Sequence, residues 1–334
     1  MSWKKVILLT ILTIILIPIG LYISALDWSR SYTKATSELP LFSNSKEDGL
    51  SRLSINGLEF RIRTAGMQNN GDPVILLHGF PESSLMWQQL MDSLSNNGYK
   101  VLAFDQRGYS PGARPKGKEN YHINYLTQDV LDVANAVGFD TFHLVGHDWG
   151  AIIGWNTVMN HADRIHTWTA MSIPHPQVFT DAVVNHPIQS ERSGYIKSLQ
   201  RPILPELLFG IFNQRVFDDL KDRWTEEQIN EVHSMLSEPG AMTAALNWYR
   251  AMDIDQALAD GIYKKDIHTP TLFIYGSEDS YVSNEIIPNQ EPFIRAAYST
   301  VQLNCGHSII QESPKQTIPR IVSHVKGKEL ESAF

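Results

Sequence analysis

A single cysteine, Cys305, stands in a chain of 334 residues, which excludes an internal disulfide and a cysteine-built zinc site. Positive charge is also short: 28 Lys and Arg face 36 Asp and Glu, a net charge of −8. No basic stripe is left to neutralise phosphates, so no nucleic acid is expected as a partner. The sequence has no glycine-rich phosphate loop, no nicotinamide fingerprint and no metal-ligand cluster, so no cofactor and no metal is implied. It has no internal repeat, and no signal for oligomeric state. What it does have is 43% hydrophobic against 19% charged residues, enough to pack a globular core as one large domain or two modest ones.

One stretch stands apart. Lys4 and Lys5 precede the uncharged run Val6 to Leu26, which is long enough to cross a bilayer as a hydrophobic helix. The preferred reading is an uncleaved membrane anchor; the alternative is a signal segment cleaved near Ile23-Ser24-Ala25. Arg30 and Lys34 flank the far end, but the nearer lysines tip the orientation toward an amino terminus in the cytoplasm. The body of the protein is then membrane-anchored or exported, outside the cytoplasm. Residues 1–30 form this segment, and 31–49 read as a polar tether.

From Leu50 onward, short runs rich in β-branched residues alternate with helical patterns, which predicts an α/β fold with a mainly parallel sheet flanked by helices. Strands are expected at Leu58 to Thr64, Val74 to His78, Val101 to Asp105, Phe142 to Gly146, Thr167 to Ile173, Thr271 to Tyr275 and Val301 to Leu303. Between them, Leu126, Val130, Val133 and Val137 mark one helical face. From Pro174 to Pro270 the pattern turns long, helical and aromatic-rich, as in Glu226 to Leu236 and Ala241 to Met252. That stretch is predicted to be a helical insertion over the sheet. The core is then split into 50–174 and 269–334 around a lid at 175–268.

The chemistry gathers at strand ends. The strand ending at Gly146 runs into His147-Asp148-Trp149-Gly150-Ala151 and then a helix. A small-x-acid-x-small sequence in that place is a nucleophile elbow with aspartate at its tip. The helix amino terminus stabilises the negative charge. By itself Asp148 reads more simply as a helix cap. Its company changes this, because a nucleophile on such a turn needs an acid and a histidine later in the chain. Asp279 follows one strand in Gly276-Ser-Glu-Asp279, and His307 follows the next in Asn304-Cys-Gly-His307. His307 is the expected base and Asp279 the acid that orients it, with Glu278 a lesser candidate. Upstream, His78-Gly79-Phe80-Pro81 ends a strand in a turn. The backbone N–H of Phe80, with that of Trp149, is the expected oxyanion hole.

The motifs His78-Gly-Phe-Pro-Glu-Ser83, Asp105-Gln-Arg-Gly-Tyr-Ser110, Gly146-His-Asp-Trp-Gly150 and Cys305-Gly-His307 resemble the epoxide hydrolase family of the α/β-hydrolase fold, over about Leu50 to Val325. The resemblance implies that two lid tyrosines hold the epoxide oxygen. The matching positions are Tyr195, in Tyr195-Ile-Lys-Ser-Leu-Gln200, and Tyr249, in Asn247-Trp-Tyr-Arg250. Without the resemblance either tyrosine reads as lid packing.

An aspartate nucleophile narrows the substrate further. A serine alkoxide attacking saturated carbon leaves an ether that water cannot readily remove, whereas a carboxylate leaves a hydrolysable ester. The expected substrate is therefore a small-molecule epoxide, opened to a vicinal diol with water. The same triad would serve a haloalkane or haloacid dehalogenase, which holds halide with a donor such as Trp149 and needs no phenol. Another lid-bearing hydrolase, and a membrane-tethered binding protein that keeps the fold without turnover, are the remaining alternatives.

Overall fold

The computed structural model describes residues 32–43, 47–210 and 220–327. Its strands are β1 (Gly49–Ile55), β2 (Leu58–Ala65), β3 (Pro73–Leu77), β4 (Lys100–Phe104), β5 (Phe142–His147), β6 (Ile165–Met171), β7 (Thr271–Gly276) and β8 (Tyr298–Leu303). They form one sheet in the order β1-β2-β4-β3-β5-β6-β7-β8. β1 and β2 are a hairpin, and β2 runs antiparallel to β4. All pairings from β4 to β8 are parallel.

The central strands are short apolar runs because both faces of the sheet are covered. Successive side chains on β3 alternate between the two layers. Val74 and Leu76 pack with Leu90, Leu94, Ile321 and Val322 from the helices Gln88–Asn96 and Pro314–Val325. Ile75 and Leu77 join Leu126, Val130, Ile153 and Trp155 from the helices Ile123–Ala136 and Trp149–Asn160. Between β6 and β7 the described residues are mainly helical, with helices at Pro176–Asn185, Pro187–Arg192, Gly194–Leu199, Glu226–Leu236, Ala241–Ala251 and Ile254–Asp260.

Two departures from the sequence reading have physical causes. β1 is not among the expected strands, because it is half-exposed and its serines and Arg52 dilute the apolar alternation. The second concerns the polar tether expected at 31–49, whose described residues include a docked pair, Tyr32 and Thr33. Tyr32 is buried and donates its phenol O–H to Asp105 Oδ2 at 2.7 Å. The Thr33 backbone N–H and hydroxyl donate to Glu238. The cause is Asp105 itself, a fully buried carboxylate that has to be satisfied by donors. Besides Tyr32 it accepts from the Ser84 N–H at 2.8 Å and from Arg61 at 3.1 Å. Burial alone would raise its pKa, but the Arg61 and Arg63 guanidiniums overcome this and hold it well below the usual range.

The apolar run Val6 to Leu26 lies outside the described residues. Among the described ones, no helix is long and apolar enough to cross a membrane.

Candidate active site

β5 ends at His147, and the helix Trp149–Asn160 begins one residue after Asp148. Asp148 occupies the turn with φ 53° and ψ −120°, a conformation that non-glycine residues adopt only at a cost. The turn fits because Gly150 lets the chain come close: a Cβ there would lie 2.1 Å from the Leu77 carbonyl oxygen. The carboxylate makes no capping bond to the helix. It turns instead toward the loop after β3, where Phe80 N–H donates to Oδ1 at 2.8 Å. Gly79 permits this approach, since a Cβ on it would lie 2.5 Å from Asp148 Cβ. Of the two backbone donors expected from the sequence, Phe80 is the one bonded to the carboxylate. Trp149 heads the following helix.

The other carboxylate oxygen, Oδ2, lies 3.3 Å from His307 Nε2. His307 follows β8, and its Nδ1 is 2.8 Å from Asp279 Oδ2, on the loop after neighbouring β7. Adjacent parallel strands thus deliver His307 and Asp279 side by side. Asp279 Oδ1 accepts from the Tyr281 and Val282 N–H groups at 2.7 and 3.0 Å. Glu278 is exposed.

The electrostatics are those of three coupled charges. Burial would lower the His307 pKa, but the Asp279 and Asp148 carboxylates outweigh it and hold the imidazole well above the usual histidine range. Burial would raise both carboxylates, and the imidazolium with its hydrogen bonds brings each below its ordinary value.

Tyr249 comes from the lid helix Ala241–Ala251, and Tyr195 from Gly194–Leu199. Their ring centroids are 6.3 Å apart, and Tyr249 lies edge-on to Phe80 at 5.3 Å and to Trp149 at 5.0 Å. Burial raises both phenols, and the Asp148 charge pushes each in the same direction. Both hydroxyls are therefore held protonated near Asp148.

The structure adds residues whose roles the sequence did not disclose. The imidazole of His147, buried, is 3.0 Å from Glu82 Oε2 through Nδ1 and 2.8 Å from the His307 carbonyl oxygen through Nε2. Ser172 Oγ donates to the same carbonyl at 2.9 Å. Burial would lower the His147 pKa, but Glu82 raises it overall. Glu82 and His147 both sit inside the motifs quoted above; that they pair across 65 positions is visible only in the fold. Tyr281 places its ring 4.9 Å from that of His307 and 5.5 Å from that of Tyr195.

The loop that carries Asp279 is also gripped from above. Arg192 Nη1, from the lid helix Pro187–Arg192, donates to the carbonyls of Asp279 and Val282 at 2.6 and 2.7 Å. Gln189 of the same helix donates to the Tyr281 carbonyl at 2.9 Å and accepts from Ser283 N–H at 2.8 Å.

Comparison with known proteins identifies the family. Residues 72–314 match the alpha/beta hydrolase fold family. The chain is 29% identical over 312 residues to epoxide hydrolase 3 of Xenopus tropicalis, covering 88% of this chain and 81% of the relative. It is 30% identical over 317 residues to epoxide hydrolase A of Mycobacterium tuberculosis, covering 82% of this chain and 96% of that protein. Among solved structures, epoxide hydrolase A of Mycobacterium thermoresistibile superposes with a TM-score of 0.72 at 25% identity, covering 85% of this chain and 100% of the other.

Proposed function

This chain belongs to the epoxide hydrolases of the α/β-hydrolase fold, and from that premise we propose that it opens an epoxide to a vicinal diol in two steps, through an ester on Asp148. The observation that carries this reading is the division of the Asp148 carboxylate between Phe80 N–H on Oδ1 and His307 on Oδ2, below two protonated phenols.

In the first step Oδ2 attacks one epoxide carbon. The carbon–oxygen bond breaks, and the departing oxygen takes a proton from Tyr195 or Tyr249. Burial and the Asp148 charge keep these phenols protonated in the resting enzyme, so a donor is in place when the alkoxide forms. Ester formation then removes the Asp148 charge. His307 loses one of the two carboxylates that hold its proton, and its pKa falls. The proton it releases to solvent balances the one taken up by the phenolate.

In the second step neutral His307 activates water against the ester carbon, held in its tautomer by Asp279. The oxyanion develops on Oδ1, where Phe80 N–H already donates. Collapse expels the diol with Oδ2. One water proton leaves on the diol and the other returns to His307, which restores the starting charges.

This route makes a distinct isotopic prediction. In a single turnover in H₂¹⁸O with enzyme in excess, the label enters Asp148 and the diol stays unlabelled. A first-turnover diol that carries the label would overturn the ester mechanism in favour of direct attack by water.

The reading extends to location. The uncharged run Val6 to Leu26 behind Lys4 and Lys5 supports an anchor that holds the catalytic body at a membrane, outside the cytoplasm.

A further inference from the structure

An ordinary surface helix turns its apolar stripe inward and its polar side outward. The lid segment at 204–210 buries Pro205 and packs Phe209 against the core, yet it also turns three leucines outward and a carboxylate inward. Glu206 points inward, accepting from Arg250 at 2.8 Å and from Thr243 at 2.9 Å, both on the helix Ala241–Ala251. Leu204, Leu207 and Leu208, spaced to share one helical face, are 42%, 54% and 46% exposed. Ile203 just before them is 67% exposed and has φ 67°, a conformation that a β-branched side chain adopts only under strain. Ile203 also lines an open groove of about 1700 Å³ with Val184, itself 47% exposed. A strained isoleucine beside three outward leucines is an apolar surface of the kind that marks an interaction site.

The sequence before Tyr32 says what covers it. The apolar run ends at Leu26, and only Asp27 to Ser31 separate it from Tyr32, which is fixed to Asp105 at the carboxyl end of β4. Five residues reach at most ~17 Å when fully extended, and the headgroup layer takes up roughly 6 Å of that. A body tethered so short touches the bilayer. The side that faces it is the lid side, because Thr33 bonds Glu238, just ahead of the helix Ala241–Ala251 whose first turn holds Glu206.

We propose that Ile203, Leu204, Leu207 and Leu208 rest in the bilayer entered by the run Val6 to Leu26, so that the lid lies on the membrane. This rests on the anchor reading, and the test separates the two. Leu204→Cys, Leu207→Cys and, at the opposite end of the sheet, Asn97→Cys are made in the full chain and labelled with an environment-sensitive fluorophore. The native thiol of Cys305 is buried. Each labelled protein is checked for activity and reconstituted into phosphatidylcholine vesicles with and without doxyl-labelled acyl chains. Severalfold stronger quenching at 204 and 207 than at 97 is the expected result. Protein that floats with vesicles but is quenched equally weakly at all three positions overturns the lid contact and leaves the anchor standing. Blue-shifted, unquenched labels at 204 and 207 point to a second protein copy on this face, and also overturn it. Protein that fails to float removes the anchor, and the lid contact falls with it.

Discussion

Replacing Gly79 with alanine tests how closely the position of the proposed nucleophile, Asp148, is set by its neighbours. The added Cβ would lie 2.5 Å from Asp148 Cβ and 2.6 Å from Oδ1, whereas non-bonded carbons rest about 3.5–4 Å apart. Something has to yield by about 1 Å. The φ of Gly79 is not in the left-handed region, so alanine adds no strain of its own. The carboxylate moves rather than the strand behind it, because β3 is packed on both faces. Oδ1 is then drawn off Phe80 N–H, and Oδ2 is displaced from its place 3.3 Å from His307 Nε2. A misplacement of that size costs about 10²-fold in rate, or ~2.7 kcal/mol of transition-state stabilisation. The overpacking costs stability about 1–3 kcal/mol. The rate of ester formation, measured by rapid-quench mass spectrometry of the intact protein, should fall about 10²-fold while the variant still unfolds cooperatively in urea. Gly194→Ala, where no atom of the described residues lies within 4 Å of the added carbon, is the matched control. A Gly79→Ala enzyme that forms ester at the wild-type rate would refute the claim that this close approach holds the nucleophile in register.

Three further perturbations follow from the same geometry. Tyr195→Phe and Tyr249→Phe should each slow ester formation about 10²-fold, the scale of a positioned acid, and the double variant should all but stop it in stopped-flow assays with an epoxide. Glu82→Ala strips the buried His147 of its carboxylate partner and should lower unfolding free energy by about 3 kcal/mol or more, as read from urea titrations. The stability gained from the triad should depend on pH with two signs. Asp148 and Asp279 have lowered pKa values, so their contribution is present above the unfolded value of about 4 and is lost as pH falls through the folded values. His307 is raised, so its contribution is complete below about 6.5 and is lost as pH rises through its folded value. The Tm difference between wild type and His307→Gln should therefore be largest between about pH 4 and 6.5; a difference that keeps growing toward alkaline pH would contradict the assignment.

The candidate triad was legible in the sequence because each member sits at a strand end beside small residues that fix the local turn. Asp148 lies between Gly146 and Gly150, Asp279 follows Gly276, and His307 follows Gly306. The two tyrosines were reachable only through family resemblance, since nothing local separates Tyr249 from any aromatic on a packed helix. What stayed hidden depends on distant partners. Tyr32 meets Asp105 across 73 positions and Thr33 meets Glu238 across 205, so no window of sequence could show that part of the tether is docked. β1 was hidden for a different reason: its apolar residues Leu50, Leu53 and Ile55 do not keep the spacing of two by which a half-buried strand is recognised.

The grip of Arg192 and Gln189 on the loop 279–283 bears on how such enzymes diversify. Lids are the obvious unit to exchange between relatives when a new substrate is wanted, because Asp148 and His307 sit at the ends of the sheet strands. Here the exchange is not clean. A donor lid without an arginine and an amide at these two positions would leave the Asp279, Tyr281 and Val282 carbonyls and the Ser283 N–H without partners. The loop that orients His307 would then be free to wander. Successful chimaeras of this chain should be those that keep Pro187–Arg192 with the sheet and take the foreign sequence only beyond Ser193, which puts the inheritable boundary inside the lid and not at its edge.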